Sequence, residues 1–140
     1  MPAQSPIEPL EVFPSCALTP RPIFDLPHPF SKAVSKLELK DDQDKTYREL
    51  WWAIRDHGIP PDSAGHASFS KLLGWPDLVQ NDLWAFEAEE DARLLLQVDS
   101  YCNGEDWHFW GPGGSLYFHM SERDLCGRHF ERCEYEGQFT

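Results

Sequence analysis

Sulfur and imidazole side chains offer the first chemistry to weigh: Cys126, His129 and Cys133, with Cys102 or His108 as a candidate fourth group. Thiolates and imidazoles at short spacing can close a tetrahedral zinc shell. The spacing here matches no known finger, and the fourth ligand would have to arrive from a distant loop. No metal is therefore expected. Cys102, Asp106 and His108 sit close enough in sequence to suggest a thiol nucleophile with a base and an acid. A reactive thiol needs a lowered pKa, and neither a nucleophile elbow nor a helix N-terminus is signalled at Cys102. The chain holds no G-x-x-x-x-G-K-[ST], no G-x-G-x-x-G after a strand and no H-E-x-x-H, so neither a nucleotide nor any other cofactor is expected. The expectation is a protein without enzymatic activity.

A third group of residues suits binding better than catalysis. Glu105, Asp106, Trp107, Phe109 and Trp110 form an acidic, aromatic loop, and Glu87, Glu89, Glu90 and Asp91 lie upstream as an outer acidic patch. Between Asp77 and Asp106 nine residues are acidic and Arg93 alone is basic. The bland alternatives are a solvated charge run and a buried aromatic loop with an acidic edge. With 24 Asp+Glu against 12 Lys+Arg the chain carries −12, a charge that repels phosphate backbones and acidic membranes and favours a basic protein partner. Four cysteines without CxxC pairing read as free thiols of a reducing compartment. The absence of an apolar run of about 20 residues or of a signal-peptide pattern makes the cytoplasm the expected location.

The elements that must position these residues centre on Arg93 to Met120. Leu94, Leu96 and Val98 alternate with Leu95, Gln97 and Asp99, a period of two that assigns the first set to a core face. Leu116, Phe118 and Met120 alternate with Ser115, Tyr117 and His119 in a second half-buried strand. Gly113 and Gly114, just before it, suit positive φ. Upstream, Tyr47, Leu50, Trp51 and Ile54 recur at helical spacing behind Asp41, Asp42 and Asp44, which predicts a helix over Gln43–His57. Lys36–Lys40 reads as a short strand, residues 68–74 as a helical turn, and Phe130–Tyr135 as a closing strand. Ser121 opens a capping box with Asp124. Residues 1–35 carry eight prolines before position 30 and read as an extended arm packed over the surface, with residues 36–140 as the domain proper. The fold class follows: α+β, a mainly antiparallel sheet covered by one amphipathic helix, with a proline-rich extended N-terminal arm.

The segments KLLGWPDLVQ (71–80), LLLQVDS (94–100), GGSLYF (113–118) and SERDL (121–125) resemble the C-terminal half of the YwqG-like family of bacterial proteins of unknown function. The resemblance covers roughly residues 66–130, and it implies structural roles for Gly74, Pro76 and Gln80. Because such proteins tend to be found near polymorphic toxin systems, it also implies an immunity-type inhibitor that neutralises a cognate, basic toxin by direct binding. A structural module of a larger assembly is the alternative expectation, and an enzyme of unrecognised type ranks third.

Overall fold

In the computed structural model the described residues are 20–58, 70–88, 90–102, 107–108 and 113–139. Four antiparallel strands form one open sheet in the order β1-β2-β5-β6: β1 is Lys71–Leu72, β2 Ala92–Asp99, β5 Ser115–Ser121 and β6 Glu134–Gln138. A two-stranded ribbon, β3 (Tyr101–Cys102) with β4 (Trp107–His108), joins β2 to β5. Helices are α1 (Lys32–Ser35), α2 (Asp41–Gly58), α3 (Trp84–Ala88) and α4 (Glu122–Gly127). The fold is α+β.

The central pair β2–β5 forms where the alternation predicts it, but its faces are assigned differently. The pairing runs Ala92↔Ser121 to Leu94↔His119, then resumes at Leu96↔Phe118, so Leu95 is an extra residue in the ladder. A bulge of this kind reverses the side-chain parity beyond it. Leu94 consequently shares a face with Gln97 and Asp99, opposite His119, Tyr117 and Ser115, while Leu96 and Val98 fall on the other face with Phe118 and Leu116. The polar set of β5 is buried throughout, at Ser115, Tyr117 and His119, whereas of the apolar set only Met120 is buried and Leu116 and Phe118 are half-buried.

A segment from Trp75 to Leu83 covers that polar face and explains the inversion. Its backbone groups, turned towards the sheet, take their hydrogen-bond partners from sheet side chains. Asp77 N–H donates to Gln97 Oε1 at 2.9 Å, and the Tyr117 hydroxyl donates to the Asp77 carbonyl at 2.7 Å. Gln138 Oε1 accepts from Val79 N and Gln80 N, both at 3.0 Å, while its Nε2 donates to Asn81 O at 2.7 Å. Leu78, Leu83, Leu94 and Tyr117, with Phe86 against them, fill the apolar part of the core.

Helix α2 starts at Asp41, two residues ahead of the expectation. Gln43 Oε1 reaches back to accept from Lys40 N at 3.0 Å, the returning half of a capping box. Trp51 is buried, whereas Leu50, expected on the same stripe, is exposed, and Arg55 lies over the Trp51 and Trp52 rings instead. Residues 25–31 are packed between this helix and the 71–86 segment. The Tyr47 hydroxyl donates to Pro27 O at 2.7 Å, and the His28 ring meets Trp51 edge-on at 4.7 Å. On the other side, Asp25 accepts from Lys71 Nζ at 3.1 Å and from Trp75 N at 2.6 Å.

Three local expectations are corrected. Lys36–Lys40 is no strand: Ser31 caps α1 through Val34 N, the chain turns after Ser35, and Glu38 sits at φ 49°, a left-handed value that breaks an extended run. Residues 71–72 are a strand rather than part of a helical turn, ended by two consecutive left-handed residues, Leu73 (φ 62°) and Gly74 (φ 77°). The closing strand begins at Glu134, because Phe130–Arg132 form a 3-10 turn. Two local signals around β5 hold at Ser121 and Gly113. Ser121 Oγ accepts from Asp124 N at 3.1 Å, and Gly113 takes φ 67°, whereas Gly114 does not enter the left-handed region.

Candidate partner-binding site

Trp84 opens α3 and stands 65% exposed. Its place is set by the chain on both sides: Leu83 is fully buried and anchors the entry, and Glu136 Oε2 of β6 accepts from Trp84 N at 2.9 Å. The indole forms a ridge between two open clefts. One, of about 980 Å³, is lined by Phe30, Lys32, Asp82 and Glu136 among others. The second, of about 520 Å³, lies towards β5 and α4 and is lined by His119, Asp124, Glu131, Arg132, Cys133 and Glu134.

The carboxylates about this ridge differ in how they are neutralised. Asp124 accepts from Ser121 Oγ at 3.0 Å and from Arg132 Nη1 at 2.8 Å, and these bonds, the serine's first, hold its carboxyl below the ordinary value. Glu131 stands 3.4 Å from His129 Nδ1. Asp82 and Glu136 are instead held by neutral donors. Asp82 Oδ2 accepts from Lys32 N at 2.6 Å and Oδ1 from Leu83 N at 3.0 Å, and no salt bridge to either acid occurs among the described residues. Their charge is fixed in direction without being cancelled.

A second charged group is structural. Lys71, buried in β1, sits 3.1 Å from both Asp25 and Asp77, and Arg55 lies 3.8 Å from Asp77 Oδ2. Removing one member would leave buried charge without its partner. The cluster ties residue 25, α2 and β1 together.

Of the residues singled out in the sequence, Glu105, Asp106, Phe109, Trp110 and Glu89 lie outside the described residues, Trp107 is described only as backbone of β4, and Glu87 only as backbone of α3. Glu90 and Asp91 are exposed in the turn into β2. Glu90 stands 3.4 Å from Lys36 Nζ, and Asp91 O accepts from Glu122 N at 2.7 Å. Of that acidic run, Glu90 and Asp91 therefore lie at the surface just after α3. Among the described side chains, Cys126, His129 and Cys133 do not converge: Cys126 is an exposed free thiol, His129 turns to Glu131, and Cys133 Sγ donates to Glu134 O at 3.5 Å. Burial and then the Glu134 charge push the Cys133 thiol up, the wrong direction for a ready metal ligand or nucleophile. No group of three or more metal-ligating side chains occurs among the described residues. Cys102 and His108 belong to the β3–β4 ribbon, and Asp106 is outside the described residues.

Sequence reasoning missed Trp84, Asp82 and Glu136. Trp84 follows the pair Asn81-Asp82, a helix-start signal whose exposed first-turn tryptophan could have been noticed. Glu136 had no local signal, since it acts on a segment some fifty residues away. No helix among the described residues is long and apolar enough to cross a membrane. No curated protein matches the chain. The pattern of the domain of unknown function DUF1963 matches residues 6–138, well beyond the 66–130 stretch that carries the motif resemblance, and the chain belongs to that family.

Proposed function

We propose that the chain is a non-enzymatic acidic binding protein that holds a basic protein partner against the Trp84 face, as an immunity-type inhibitor of a toxin that acts on nucleic acid. One observation carries this reading: an exposed tryptophan on a ridge whose flanks hold Asp82 and Glu136 on one side and Glu131 and Glu134, beside the Asp124–Arg132 pair, on the other. Tryptophans of this kind supply anchoring energy at interfaces, and surrounding like charges speed and select the encounter with an opposite surface. Nucleic-acid-acting toxins need basic clefts, and a chain of −12 complements them. The motifs at 71–80, 94–100 and 113–118 support a YwqG-like assignment within the family. Glu105, Asp106, Trp107, Phe109 and Trp110, with Glu87, Glu89, Glu90 and Asp91, stay candidates for partner contact on their sequence alone.

The test is protection and binding together. Cells expressing the cognate toxin should survive with the wild-type chain. Reversing Glu131 and Glu134 to Lys, or Glu105 and Asp106 to Lys, should weaken toxin binding by several kcal/mol, roughly as measured for close interfacial charge pairs. Protection that survives both double reversals would defeat the reading.

A second reading, a structural module of a larger assembly, is favoured by the other sheet face. Leu72, Leu96, Phe118 and Tyr135 stand in one row across four strands, with Leu72 69% and Tyr135 73% exposed. Contiguous apolar surface of this kind is a place for association. A monomer in analytical ultracentrifugation that binds no hydrophobic dye would exclude it.

A further inference from the structure

We propose that the cleft between Phe30 and Trp84 is a receptor for the guanidinium of an arginine presented by a protein partner. The inference rests on the binding reading above and names the chemistry of one contact within it.

The cleft, about 980 Å³, is larger than a single side chain needs and opens to solvent, so a residue can enter it while its backbone stays outside. Two aromatic rings, Phe30 and Trp84, line it, and both are exposed. Phe30 already carries one guanidinium: Arg48 Cζ lies 4.9 Å from its ring centroid. Trp84 has its indole largely free to solvent and is the strongest ring type for a cation.

The polar lining has the sign and rigidity an arginine selects. Asp82 and Glu136 are oriented by backbone amides, from Lys32 and Leu83 to Asp82 and from Trp84 to Glu136. Amide donors leave the carboxylate charge in place, unlike a lysine or arginine partner, and each oxygen keeps a further lone pair. Lys32 is the cation among the described lining residues, and Arg48 over Phe30 is already paired with Asp44 at 2.8 Å, so two acids against one base leave the lining net negative. A planar fork of donors that can stack on an indole and bond carboxylates in the same plane fits this set better than an ammonium point charge. Gln80 and Asn81 add amide groups to the wall.

The probe is a capped tripeptide, acetyl-Gly-Arg-Gly-amide, titrated into the full chain and followed at the indole N–H signal of Trp84 in ¹H–¹⁵N spectra. Its citrulline and lysine counterparts serve as controls. The expected result is saturable movement of the Trp84 signal with arginine, with affinity about ten-fold above citrulline and clearly above lysine. Glu136→Gln keeps an oxygen to accept from Trp84 N while removing the charge, so it should preserve the melting temperature and cut arginine binding several-fold. Trp84→Leu should do the same by removing the ring. Equal binding of arginine and citrulline, equal binding of arginine and lysine, or arginine binding unchanged in folded Glu136→Gln would each overturn the inference. These outcomes are separable from the function reading. A toxin captured with unchanged affinity by Glu136→Gln removes the receptor and leaves the inhibitor, whereas arginine binding without any toxin partner does the reverse.

Discussion

His28 is a single ring on which much of the arm's docking depends. It packs edge-on against Trp51, and its Nδ1 accepts from Phe30 N at 3.3 Å, which requires that nitrogen to be unprotonated. Burial lowers its pKa below 6.5, with the charge of Asp77 opposing and that of Arg55 reinforcing the shift. A folded-state pKa below the unfolded value means the unfolded chain takes the proton first. Stability is therefore full above pH 6.5 and should fall as pH drops through 6.5 towards the folded value. Urea midpoints measured from pH 8 to 5 should decline over this window, and His28→Gln should flatten that part of the decline. Gly74 is the second decisive position. At φ 77° it faces the Asp25 carboxyl, where an added Cβ would collide with Oδ2. Gly74→Ala should cost about 2 kcal/mol or more, from left-handed strain plus a displaced Asp25 that loses Lys71 and Trp75. A melting temperature unchanged in Gly74→Ala would remove that clamp.

The elements were legible where the signal was local and illegible where it was not. Helix α2, strands β2 and β5, the Ser121 cap and the left-handed Gly113 each follow from residues within one turn or one strand of one another. The face of β2 did not, because a single extra residue at Leu95 reverses parity and nothing in LLLQV marks which leucine is extra. Nor did β1, whose two residues form a strand only because Leu96 and Gln97 pair with them. The buried Gln97 and Gln138 look like ordinary polar residues in sequence, and their role belongs to the backbone of 77–81, which they satisfy from other elements. The candidate site followed the same division: the exposure of Glu90 and Asp91 suits a charge run read from sequence, whereas Asp82 and Glu136 became a pair only through the fold. Replacing Gln138 by Leu should cost about 1–2 kcal/mol, since two part-buried N–H groups and a carbonyl lose their partner. Chemical denaturation of Gln138→Leu against Gln138→Glu, which keeps the acceptor, would separate hydrogen bonding from packing.

For the molecule as a whole, one sheet has two unlike faces and one strong charge. The polar face is closed by its own chain, and the apolar face carries the exposed Leu72 and Tyr135. Around the β6 end of the sheet, carboxylates gather at Trp84. A chain of −12 steers basic partners over a Debye length of about 8 Å at physiological salt, so association should slow steeply as salt rises. The most direct measurement is affinity capture from the native host with the wild-type chain and Trp84→Ala side by side, at low and high salt, with retained proteins identified by mass spectrometry. The account predicts a basic protein retained by the wild type at low salt and lost both with Trp84→Ala and at high salt. The same retained proteins for both chains at both salt levels would contradict it.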